Sequence, residues 1–105
     1  MAEEVQNPLD QQFYARADAF INLANDAITR EEASAGQIAN SLMFAASRFN
    51  AWVASASYKE SSALEKDRKE ILEFFTKQYN LMLAENLDSY IENFDDYLNH
   101  AKPSK

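Results

Sequence analysis

Apolar residues recur along the chain with the spacing of an α-helix, and the first stripe lies within residues 8–30. Its members are separated by four and three positions, which places them on one helical face: Phe13, Ala17, Phe20, Ala24 and Ala27. Asn7 can cap this helix, and Pro8 suits its first position because proline lacks the N–H that stays unpaired there. The pattern predicts a helix over residues 8–30, after a flexible tail of residues 1–6.

A second stripe follows a short link and covers residues 35–57. Its members alternate between spacings of four and three, which keeps one seam against a neighbouring helix: Ile38, Leu42, Ala45, Phe49, Trp52 and Ala56. Ser34 and Gln37 match a capping box, in which each side chain bonds the backbone N–H of the other residue. The other face of this segment is almost uncharged, so we expect it to be the central helix of the fold.

The third helical region is longer, because apolar residues continue from residue 63 to residue 101. Ser62 and Glu65 match another capping box at its start. A continuous helix of this length would extend about 58 Å, against about 35 Å for each of the first two. This mismatch in length requires an explanation.

We expect the chain to break near Asn86, which can end one helix, while Asp88 can cap the next. This break would give helices over residues 63–85 and 88–101. Because no Gly or Pro enforces it, a continuous helix whose end meets another subunit is the alternative.

The composition is that of one helical domain. The 105 residues include one Gly and two Pro, and 47% of them are hydrophobic, which fits neither a disordered chain nor a turn-rich β protein. A length near 100 residues is typical of a single domain. We therefore predict an all-α fold, an antiparallel bundle of three or four helices, in one domain of residues 1–105.

The charge balance argues against two classes of partner. With 10 basic and 17 acidic residues the net charge is −7, which opposes a nucleic-acid backbone and an anionic lipid surface. No apolar run approaches the ~20 residues that span a bilayer. The first ten residues are acidic and polar, unlike a secretory signal, so we expect a cytoplasmic protein with neither nucleic acid nor membrane as partner.

Candidate catalytic chemistry is sparse. The absence of Cys excludes disulfides, Cys-zinc sites and thiol nucleophiles, and one Gly cannot build a phosphate-binding loop. Glu92, Asp96 and His100 share one helical face, but a di-iron or catalytic zinc site needs more ligands than these. We therefore expect no cofactor, no metal and no enzymatic activity.

One polar group stands out in the second helix, where Arg48 is surrounded by apolar neighbours. A buried guanidinium needs a partner, and Asp18 of the first helix is a candidate for an ion pair that fixes helix register. The alternative is a small-anion or small-ligand site that Arg48 forms with Asn50 and Gln78. Both interpretations stay open at this point.

The C-terminal region carries the candidate interface. We expect surplus apolar surface at Tyr90, Phe94 and Leu98, through which the protein self-associates as a homodimer or binds another protein. The same region holds five acids and no base between residues 85 and 98. An acidic binder of a basic protein partner is therefore a further alternative.

Six segments spread over most of residues 9–98 form a recognisable set: FYARAD (13–18), FINLAN (20–25), MFAASRFN (43–50), QY (78–79), MLAENLD (82–88) and YIENF (90–94). Together they resemble a family of short bacterial all-α proteins of unknown function. This resemblance implies a small helical protein with no assigned activity, cofactor or catalytic residue. No site residue is carried over from it.

Overall fold

The computed structural model describes residues 10–96, and the regular elements in this part of the chain are helical. The helices are α1 (Phe13–Glu31), α2 (Ala35–Ser55) and α3 (Ser61–Glu92). A further helical turn begins at Phe94 and includes Asp96, the last described residue. The prediction of an all-α protein is confirmed.

The N-terminus of α1 is organised by Asp10. Its carboxylate accepts a hydrogen bond from the backbone N–H of Gln12 at 2.9 Å, and Arg16 donates to both of its oxygens at 2.9 and 2.8 Å. The helix begins at Phe13, later than the predicted start at residue 8. The predicted start was wrong because Asp10 and Gln12 form a turn before the helix, whereas Asn7 and Pro8 lie outside the described residues.

The link between α1 and α2 ends in the predicted capping box. α1 ends at Glu31, and the next residue, Glu32, has a left-handed φ of 54°, a conformation that often terminates helices. The Gln37 N–H then donates to the Ser34 hydroxyl at 3.1 Å, and the Ser34 N–H donates to the Gln37 side-chain oxygen at 2.9 Å. These two bonds pair backbone donors that the first turn of α2 leaves without helical partners.

The start of α3 differs from its prediction. Glu60 precedes the helix in extended conformation, with no side-chain cap. Ser62 lies inside the first turn, where its hydroxyl donates to the Glu60 carboxylate at 3.2 Å. The capping box of Ser62 and Glu65 was therefore misplaced, because the backbone becomes helical one residue before Ser62.

The break that we expected near Asn86 is absent, because α3 continues through Asn86 and Asp88 to Glu92. The Asn86 amide donates to the Met82 carbonyl at 3.0 Å, one turn earlier, so its side chain is accommodated inside the helix. Asn93 ends the helix instead, and its backbone N–H and side-chain amide both donate to the Ser89 carbonyl at 3.0 Å. The predicted residues 97–101 lie outside the described part.

Contacts between residues divide the chain into two units that adjoin in sequence at Lys59 and Glu60. In the first unit α1 contacts α2. Within residues 10–96 the one fully buried residue is Ala54. The α1 stripe is half-buried at Phe13, Ala17, Ala24 and Ala27 but exposed at Phe20. The second unit contains α3, and the single domain stays a prediction.

The Ser34→Ala substitution tests the capping box. It removes the acceptor of the Gln37 N–H, so we expect the free energy of unfolding to fall by about 1 kcal/mol in urea denaturation. Ser41→Ala, at an exposed position inside α2, is the matched control, and it should cause no loss because Ala favours the helix interior. Equal losses in both variants would contradict a specific role for the cap.

The Arg16→Gln substitution tests the Asp10 ion pair. The Arg16 guanidinium bonds the Asp10 carboxylate and holds the pKa of that carboxyl below its ordinary value. The pair therefore stabilises the fold at pH values above the ordinary Asp pKa, and this contribution is lost as the pH falls through the lowered pKa. An NMR titration should show the Asp10 pKa rising in Arg16→Gln, and an unchanged value would exclude Arg16 as its cause.

Candidate functional site

The structure does not join Arg48 to Asp18 in an ion pair. Both residues are exposed, and the Arg48 guanidinium carbon lies 5.9 Å from the centre of the Phe44 ring, on the preceding turn of α2. The expectation of a buried pair fails because the exposed guanidinium keeps its hydration and needs no carboxylate to offset desolvation. A cation–π contact with Phe44 takes the place of the pair.

The candidate ligand site of Arg48, Asn50 and Gln78 stays a prediction. Asn50 is half-buried in the first unit, and Gln78 is half-buried in the second. A depression on α3 involves none of these residues and is open to solvent; it is lined by Leu72, Glu73, Thr76, Lys77, Asn80 and Leu81. Because small-molecule sites are usually concave enough to enclose most of the ligand, this surface is a poor pocket.

Metal ligation also lacks a site in the described part of the chain. Between residues 10 and 96, no three His, Cys, Asp or Glu side chains come together in a group that could hold an ion. Glu92 and Asp96 are described, but His100, the third member of the predicted ladder, lies outside these residues. Over the same residues, no helix combines the length and the apolar character needed to cross a membrane.

The main chemical feature of α3 is its exposed apolar surface. Large side chains are 50% exposed at Leu72, 53% at Tyr79, 43% at Leu83 and 50% at Tyr90. A different side of the helix is half-buried, at Leu64, Ile71, Phe74, Phe75 and Gln78. Further large apolar side chains are exposed on other sides of the helix, at Leu81, Met82, Leu87 and Ile91, so the exposed apolar surface of α3 lies mainly in its C-terminal half and is not confined to one side.

The exposed side follows a heptad pattern. Alternating spacings of four and three join six exposed residues, which we name the exposed seam: Leu72, Thr76, Tyr79, Leu83, Asn86 and Tyr90. This spacing keeps the residues along one line of the helix, as in helices that pair side by side. The seam is continuous because α3 does not break at Asn86.

The predicted interface residues lie at the C-terminal end of this surface. Tyr90 belongs to the exposed seam, and Phe94 is exposed just beyond Asn93. Leu98 lies outside the described residues. The N-terminal part of the seam, from Leu72 to Leu83, was not among the predicted interface residues. The signal was the seven-residue spacing between Leu72 and Tyr79, hidden among other apolar residues of the helix.

Charge is distributed unevenly along α3. Residues 61–77 contain four acids and four bases, whereas residues 78–92 contain three acids and no base. The acids of the second stretch are Glu85, Asp88 and Glu92, and all three are exposed. The C-terminal half of the helix therefore combines exposed apolar groups with three negative charges. No basic side chain of the same stretch offsets them.

A second group of exposed rings lies on α2. Phe49 and Trp52 are exposed, and their ring centres are 5.6 Å apart with a tilt of 40° between the planes. They belong to the predicted seam of the central helix. The expectation that α2 is the central helix stays a prediction. Its exposed rings add to the apolar surface of the protein.

Comparison with known proteins identifies relatives. A family model described as "Protein of unknown function (DUF3144)" matches residues 13–91. The chain is 35% identical to protein NB7890A from Shewanella sp., solved by NMR, with a TM-score of 0.71; the similarity covers 87% of this chain and 95% of that one. None of the curated proteins compared with the chain matches it. These matches confirm the resemblance found in the sequence, and the chain belongs to the DUF3144 family of proteins of unknown function.

Proposed function

We propose that this protein is a non-enzymatic protein–protein interaction module that self-associates through the exposed seam of α3. One observation carries the proposal: four large apolar side chains are exposed at heptad spacing along one side of an unbroken helix. Water-exposed apolar surface favours association by roughly 25 cal/mol for each Å² that it buries. Heptad spacing makes that surface linear, as helix pairing requires.

The aromatic residues of this surface support the same function. Tyr79 and Tyr90 lie in the seam, and Phe94 follows it. Aromatic side chains are enriched among the residues that dominate binding energy, because they bury a large area at little cost in conformational entropy. We therefore assign the largest part of the binding energy to these rings. We also include Leu98, which follows them in the sequence, as a further contact.

The antiparallel helical bundle is part of this proposal. The links from α1 to α2 and from α2 to α3 are short. Short links favour antiparallel neighbours in helical bundles. A bundle would cover part of the apolar surface of α3, and the exposed seam would remain for an intermolecular contact.

The acidic residues of α3 favour a second candidate function, the binding of a basic protein. Residues 78–92 expose three acids without a base, which would attract a positively charged surface. Such binding would weaken at high salt, because salt screens exposed charges. Self-association through apolar groups is much less sensitive to salt, so the salt dependence of binding distinguishes the two candidate functions.

Truncation of two rings tests the proposed function. In sedimentation equilibrium, the double substitution Tyr90→Ala and Phe94→Ala should weaken self-association by about tenfold or more, since truncating a dominant interface residue costs ~2 kcal/mol. Leu81→Ala is the matched control, because Leu81 is similarly exposed but lies on the opposite side of α3 from the seam. It should leave the dissociation constant nearly unchanged.

Several outcomes would contradict self-association. The unsubstituted chain could remain monomeric at every concentration accessible to sedimentation, or the Leu81 control could weaken the assembly as much as the double substitution. A monomer that binds polylysine in a salt-sensitive manner would favour the acidic-binder candidate instead. Circular dichroism of each variant verifies that helical content is preserved.

A further inference from the structure

We draw no further inference here: the strongest candidate, the exposed apolar surface patch on the C-terminal half of α3, carries nothing beyond the proposed function because nothing in the structure shows what covers it.

Discussion

The continuity of α3 through Asn86 is the constraint on which the candidate surface depends. Asn is a residue that often ends helices, yet its amide here donates to the Met82 carbonyl and stays within the helical backbone. Because the helix does not change direction, Leu72 and Tyr90 remain on one line although 18 positions separate them. A break at this point would have divided the exposed seam into two short pieces.

Large apolar side chains are exposed on several sides of α3. One side is half-buried, whereas the seam exposes large side chains to water. Contiguous exposed surface of this kind usually marks an interaction site in a soluble protein. The exposed acids Glu85, Asp88 and Glu92 add a negative charge to the same half of the helix.

Local signals in the sequence were reliable where a single turn of backbone decides the structure. The Ser34 capping box was predicted and is present, because its two residues are three positions apart. Signals that depend on competition between neighbouring residues were less reliable. Ser62 matched the same pattern, but α3 already begins at Ser61, directly after the extended Glu60. At the other end, Asn93 rather than Asn86 ends the helix.

The sequence by itself determined the helical class, the approximate extent of the helices and the family, because helix periodicity and motifs are properties of neighbouring residues. It also identified Tyr90 and Phe94 as surplus apolar groups. Only the tertiary structure decided that Arg48 is solvated beside Phe44 and that Leu72, Tyr79 and Leu83 are exposed. Burial depends on which surfaces meet after folding, and the spacing of residues along one helix cannot specify which of its apolar sides will be covered.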